Sequence, residues 1–248
     1  MELPWRGHTL QLATARTAAP ALAQVLERMA DVLHGPQPGP GWYVALSRAL
    51  QAAQARRRGA EGSTTHVGVC DAEGGMVALT TTLLSSFGSR VVLPQSGVLM
   101  NNGVMWFDPR PGRANSVTPG GRPLTNMCPL VMRSEDRPVL ALGASGGRRI
   151  LPAVLQVLAY VVEFGVDAAD AMELPRIDVS EPGVVTVDHR LPPDVLDALR
   201  ADGPLQVVEP TLLPGSFAAP NIVVGGDDGN RVGAADAASP WSAALAQA

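Results

Sequence analysis

Two stretches of the sequence gather hydroxyls and backbone N–H groups in patterns that suit acyl chemistry. Thr64 to Cys70 and Met76 to Thr82 are β-rich and flank Asp71-Ala-Glu-Gly-Gly75, the pattern of a hairpin. A turn symmetric about Glu73 sets position 69 against 77, 67 against 79 and 65 against 81, with Thr64 opposite Thr82. Because side chains alternate along a strand, Thr64, His66, Gly68, Ala78, Thr80 and Thr82 share one face. Opposed Cβ atoms lie roughly 4.5–5.5 Å apart, so the Thr64 and Thr82 hydroxyls come within reach of each other. Val67, Val69, Val77 and Leu79 occupy the other face and are expected to meet a core. Threonine also favours strands on its own account, so the pattern alone leaves a purely structural role open.

The second stretch is Gly143-Ala-Ser-Gly-Gly147, between a strand (Val139–Leu142) and an apolar helix. Consecutive glycine N–H groups at a helix start form a nest for a carbonyl oxygen as it becomes an oxyanion. The same five residues match the Gly-x-Ser-x-Gly turn of serine hydrolases, which makes Ser145 a rival nucleophile. Its base would have to be His189, the only histidine downstream. Alternation in a strand points Asp188 away from His189, which leaves Asp167, Asp170 or Asp178 as the acid. A plain glycine-rich strand-to-helix turn is the third reading.

Composition narrows the chemistry. All 19 basic residues among the 248 are arginine, which removes Schiff-base, pyridoxal-phosphate and phosphate-loop lysine mechanisms. The two cysteines, Cys70 and Cys128, and the scattered His8, His34, His66 and His189 give no metal-ligand spacing, so no cofactor is expected. A net charge of −4 without basic clusters argues against nucleic acid as a partner. The longest strongly apolar run, Ile150 to Val162, is too short to span a membrane. The N-terminus lacks a signal-peptide layout, so a cytoplasmic location is expected, or a periplasmic one if an upstream segment carries the signal.

The elements that must position these residues can be read in order. Apolar spacing predicts helices over Thr17 to Leu33 and Tyr43 to Arg58, joined by His34-Gly-Pro-Gln-Pro-Gly-Pro40. The second ends in Arg56-Arg57-Arg58-Gly59, cations at the negative end of a helix dipole before a glycine stop. Further hairpins are predicted from Cys128–Met132 with Val139–Leu142 and from Asn221–Val224 with Arg231–Ala234 around Asp227-Asp-Gly-Asn230. Helices follow at Ile150 to Phe164, Asp167 to Glu173 and Pro193 to Ala201. The Pro-, Gly- and Asn-rich stretch from Gly103 to Gly121 is long enough to suggest a functional loop. The pattern indicates an α+β fold, sheets in the middle and helices outside.

Taken together, the chain resembles the γ-glutamyltransferase family of N-terminal nucleophile (Ntn) hydrolases. The likeness is carried, in order, by Thr64-Thr65-His66, Thr80-Thr-Thr82-Leu83, Phe87-Gly88-Ser89 and Gly97-Val-Leu-Met-Asn-Asn102. Arg122-Pro-Leu-Thr-Asn-Met-Cys-Pro129, Gly143-Ala-Ser-Gly-Gly-Arg-Arg-Ile150, Pro175-Arg176 and Gly233-Ala-Ala-Asp236 complete it. The resemblance implies an Ntn αββα sandwich in which 64–248 is the small-subunit-like catalytic segment and 1–63 the helical tail of a preceding large-subunit-like segment. It implies self-cleavage before Thr64, whose freed α-amine, with a pKa near 8, then serves as general base for its own hydroxyl. Thr82 would orient that hydroxyl, Gly146 and Gly147 would bind the oxyanion, and Thr125 and Asn126 would line the substrate pocket. The implied substrate is a small-molecule amide or γ-glutamyl compound, and the implied partner is an upstream-encoded large-subunit polypeptide or a second copy. Three positions depart from the family pattern. Leu84 stands where the family has an asparagine, Trp106 where it has an aspartate, and Thr125-Asn126 replace a serine pair. Losing the partners of a zwitterionic glutamyl group leaves its charges unpaired, so a more apolar acyl group is expected.

Overall fold

A computed structural model describes residues 1–14, 16–55, 63–209, 211, 215–226 and 229–246. The chain opens with β1 (Glu2–Trp5) and β2 (His8–Leu12), turned tightly at Arg6 and Gly7 with φ of 49° and 79°. Two positive φ values in a two-residue loop match the twist of a hairpin. Helices α1 (Ala19–Met29) and α2 (Pro40–Gln54) follow, each with proline in its first turn, where no N–H is missed. On α1, Ala18, Ala21, Leu22, Val25, Leu26 and Met29 are buried, the face the periodicity predicts. The Arg56–Gly59 helix end lies outside the described residues, as do Asp227 and Asp228 of the last hairpin turn.

The hairpin of β3 (Ser63–Cys70) and β4 (Met76–Leu84) has the expected register, with Thr64 opposite Thr82, His66 opposite Thr80 and Val69 opposite Val77. β5 (Leu130–Ser134) pairs with β6 (Arg137–Ser145), and β6 delivers the chain into Gly146 and the helix α3 (Ile150–Val162). After α4 (Ala168–Glu173) come β7 (Ile177–Asp178), β8 (Val185–Asp188), α5 (Pro193–Asp202) and β9 (Leu205–Val208). β10 (Ala219–Gly225) and β11 (Arg231–Ala235) close the described chain.

Three layers result. A six-stranded antiparallel sheet runs β1-β2-β5-β6-β10-β11, so the N-terminal strands join β5, β6, β10 and β11 in one sheet. α1, α2 and α3 pack on one side of it around a core that includes Leu10, Leu22, Leu46, Leu142, Val154 and Ile222. The β3–β4 hairpin lies on the other side, against β6 and β10. α3 is buried along Ile150 to Tyr160, and its one amide is fully used. Gln156 donates to the carbonyls of Pro152 and Ile177 and accepts from the N–H of Ile177, each at 2.8 Å, which ties α3 to β7.

One expectation is reversed. Val67, Val69, Val77 and Leu79 face away from the body and are 44–56% exposed, while the face with Thr64, His66 and Thr82 packs on the large sheet. The physical reason is that alternation fixes which residues share a face, not what covers it. The inner face is small and polar because the two sheets approach closely there. A Cβ on Gly143 would sit 2.3 Å from the His66 ring, and one on Gly68 only 3.4–3.5 Å from Asn221 and Val223.

Candidate active site

The Thr64 hydroxyl donates to Thr82 Oγ1 at 3.2 Å. Thr82 Oγ1 donates in turn to the carbonyl of Ser63 at 2.8 Å and accepts the Leu84 N–H at 3.0 Å. One hydroxyl therefore holds the Thr64 side chain and the carbonyl of the peptide bond just before it. The hairpin register shifts at Ser63/Thr64, and Leu84 opposite Ser63 has a φ of 69°. A buried leucine in the left-handed region is strained backbone, maintained where the surroundings over-determine it.

Two contacts hold β3 over the large sheet. His66 lies against Gly143, with Nδ1 2.8 Å from Thr80 Oγ1, and the Asn221 side chain donates to the His66 carbonyl at 2.8 Å. Burial lowers the His66 pKa to about 4, so the ring is neutral at physiological pH. β6 carries the glycine turn away from this contact. Gly146 has a φ of 136°, and a Cβ there would lie 2.7 Å from Ala218 Cα; Gly147 has a φ of 61°. Neither position tolerates a side chain without strain.

Thr64, Ser63, Ser145 and Gly146 line one cavity of about 630 Å³. Its far wall holds Arg176 and Asp236, a buried ion pair between residues sixty positions apart, and Asp188, which receives a two-pronged contact from Arg190. Pro175-Arg176 and Asp236 belong to the motifs that carry the resemblance, but no local signal in the sequence pairs them. Asp188 Oδ1 also lies 3.5 Å from His189 Nδ1, contrary to the expectation that alternation would separate them, because the strand ends at Asp188. Among the described residues no hydrogen bond joins Ser145 to His189, or His189 to Asp167, Asp170 or Asp178, the last of which accepts from Ser180. The serine constellation is not assembled. Also among the described residues, no three His, Cys, Asp or Glu side chains converge as a metal site would require.

Thr125 and Asn126 do not line this cavity. Asn126 borders a separate small space with Ala18, Gln54, Arg148 and Leu151, and Thr125 N–H donates to the Arg16 carbonyl at 2.7 Å. Hydrogen bonds tie the end of β4 to the turn at Gly103–Trp106. Asn102 N–H donates to the Leu83 carbonyl at 3.1 Å, and its side chain accepts the Ser85 N–H at 3.0 Å. Asn102 opens the single 3₁₀ turn Gly103–Trp106, whose Trp106 ring folds back over Gly103. The departures Leu84 and Trp106 thus lie along a connected path that begins at Thr82.

A protein-family model described as Gamma-glutamyltranspeptidase matches residues 44–245. The glutathione hydrolase proenzyme of Bacillus subtilis (strain 168) is 36% identical over 181 residues, covering 73% of this chain and 31% of that protein. The acylase ACY 1 proenzyme of Pseudomonas sp. (strain V22) is 34% identical over 220 residues, covering 88% of this chain and 38% of its own length. The chain thus spans about a third of the length of these relatives. Among solved structures, a cephalosporin acylase from Bacillus halodurans superposes with a TM-score of 0.79 at 21% identity, over 96% of this chain and 51% of the other. At that identity the likeness speaks to the fold.

Proposed function

The chain belongs to the γ-glutamyltranspeptidase family, with an Ntn-hydrolase fold, and from that premise we propose that it is an amide hydrolase or acyltransferase working through an acyl ester on Thr64. The observation that carries this reading is the Thr82 hydroxyl, bonded at once to Thr64 Oγ1 and to the Ser63 carbonyl. That bond polarises the carbonyl, and Thr64 Oγ1 is the hydroxyl next to it in the chain. Attack by Oγ1 on the Ser63 carbonyl carbon transfers the acyl chain from nitrogen to oxygen, and the freed nitrogen takes up a proton. Water then hydrolyses the ester, leaving 1–63 with a carboxylate and 64–248 with a free α-amine.

In the mature form, the Thr64 amine accepts the proton of its own hydroxyl as that oxygen attacks a substrate carbonyl. Thr82 keeps the hydroxyl oriented, and the N–H groups of Gly146 and Gly147 receive the developing oxyanion. The amine half leaves with the proton, and water or an acceptor amine releases the acyl group. Ser145 in this scheme only carries β6 into the glycine turn.

Leu84 and Trp106 favour an acyl group more apolar than a γ-glutamyl zwitterion. Leu84 offers no polar group, and Trp106 brings an indole N–H and a ring face but no charge where the family pattern has a carboxylate, so an α-ammonium loses its ion-pair partner. Similarity to an acylase proenzyme over 88% of the chain supports the same direction. The reading includes a partner. The matched segments make up only 31% and 38% of these relatives, and the exposed Val67, Val69, Val77 and Leu79 form half of a core awaiting a second layer. An upstream-encoded large-subunit-like polypeptide laid on this face would bury them, at roughly 1 kcal/mol for each half-exposed side chain.

The test is a side-by-side assay of a γ-glutamyl anilide and an apolar acyl anilide, on the chain alone and with the upstream-encoded polypeptide. Preference for the apolar anilide is expected. Preference for the γ-glutamyl anilide overturns the substrate reading, and activity that depends on Ser145 rather than Thr64 overturns the mechanism.

A further inference from the structure

We propose that Asn115 is a positioning residue that sets which acyl groups are accepted, by holding the Trp106 turn against the segment at 124–125. The inference rests on the acyl-threonine reading above and deepens its specificity.

The long loop between β4 and β5 is laced from within. Arg110 grips both oxygens of Asp108 at 2.8 and 2.7 Å, and Ser116 Oγ donates to the Arg110 carbonyl at 2.5 Å while accepting the Arg113 N–H at 2.8 Å. Internal lacing gives the loop a shape but does not place it. Placement comes from Asn115, which is half-buried. Its Nδ2 donates to the Trp106 carbonyl at 2.7 Å, and its Oδ1 accepts the Leu124 N–H at 2.9 Å and Arg16 Nη2 at 3.0 Å. Its backbone carbonyl accepts the Asp108 N–H at 2.7 Å. The amide orientation is fixed by its neighbours: Leu124 N–H can only donate and the Trp106 carbonyl can only accept. Arg16, held by Oδ1, presents its own carbonyl to Thr125 N–H. One carboxamide therefore joins Trp106, Leu124 and, through Arg16, Thr125, with Trp106 linked back to Thr82 through Gly103, Asn102 and the end of β4.

Asn115 bonds one position where the family pattern is broken, Trp106, directly, and reaches another, Thr125, through Arg16 and through its neighbour Leu124. Asn115 touches neither Thr64 nor Thr82, so its effect falls on the fit of the acyl group and not on the reacting atoms. Its chemistry separates its two arms. In Asn115→Asp the acceptor oxygen for Leu124 and Arg16 persists, while the donor to the Trp106 carbonyl is lost and replaced by a repelling oxygen.

The test compares wild type, Asn115→Asp and Asn115→Ala, each with the upstream-encoded polypeptide present, on apolar acyl anilides of increasing length. Hydrogen exchange at the Phe107 and Asp108 amides is measured alongside. Expected for Asn115→Asp are faster exchange at those amides and a change of about 5–10-fold in the kcat/KM ratio between short and long acyl groups, carried by KM, the size of one lost hydrogen bond. Asn115→Ala should move the same ratio at least as far. An active variant with an unchanged ratio overturns the proposal, whether or not exchange quickens, and so does unchanged exchange in both variants. A wild-type enzyme that acylates Thr64 with none of the anilides instead defeats the acyl-threonine reading, and this inference with it.

Discussion

The two faces of the β3–β4 hairpin are built from the same strands and have opposite characters. The inner face is small, hydroxylated and tightly packed, with His66 pressed on Gly143 and Thr64 bonded to Thr82. The outer face carries, beside Thr65 and Thr81, four aliphatic side chains left 44–56% exposed. A sheet in an ordinary small protein turns its aliphatic face to the core and its threonines to water. Here the reverse arrangement places Thr64, the proposed nucleophile, between two sheets, where backbone amides and hydroxyls are fixed in position. It also leaves an apolar surface that the described residues do not cover.

The inner face should be the sensitive one. Thr82→Val removes the hydroxyl that orients Thr64 and polarises the Ser63 carbonyl, so self-cleavage, followed by intact mass over time, is expected to slow by about 10²–10⁴-fold. Thr82→Ser should restore most of the rate; full speed in the valine variant would remove Thr82 from the mechanism. Next in size is a pH effect through His66. Burial lowers its folded-state pKa to about 4 against about 6.5 when unfolded, so the unfolded chain binds the extra proton first. The stability associated with neutral His66 is complete above pH 6.5 and is lost as pH falls towards 4, by on the order of 3 kcal/mol. Urea titrations across that window should show the slope, and His66→Gln should flatten it. Equal slopes in the two proteins would mean that His66 is not held neutral. Smallest is the outer face. The double variant Val69→Thr, Leu79→Thr should change the stability of the chain alone by less than about 0.5 kcal/mol per site. Its capture by the immobilised upstream polypeptide should weaken clearly. A large loss of stability without loss of capture would mean that the face is covered within this chain.

The contrast also shows what a sequence can disclose. Register was legible because the Asp71–Gly75 turn and a period of two leave one pairing that keeps Val67, Val69, Val77 and Leu79 together. Which way that set points was not, because alternation fixes which residues share a face and not what covers it. β1 and β2 escaped notice because their only strong signal is the Arg6-Gly7 turn. β8 and β9 are four residues each and pair in parallel across α5, which periodicity cannot anticipate. At the site, residue type and spacing singled out the Thr64–Thr82 pair and the Gly146-Gly147 turn but left structural roles open, and only the family resemblance implied roles for them. The Arg176–Asp236 pair, the seat of His66 on Gly143 and the bond of Asn115 to Arg16 depend on long-range contacts and left no local trace.

The central claim is that Thr64 becomes a chain terminus by its own chemistry. Intact-mass measurement of the purified protein, with the upstream-encoded polypeptide both absent and present, tests it most directly. The expected result is conversion of the wild-type chain into two fragments, 1–63 and 64–248, in at least one of these conditions, while Thr64→Ala stays whole in both. A wild-type chain that stays whole in both conditions, or a Thr64→Ala chain cut at the same bond, would contradict the account.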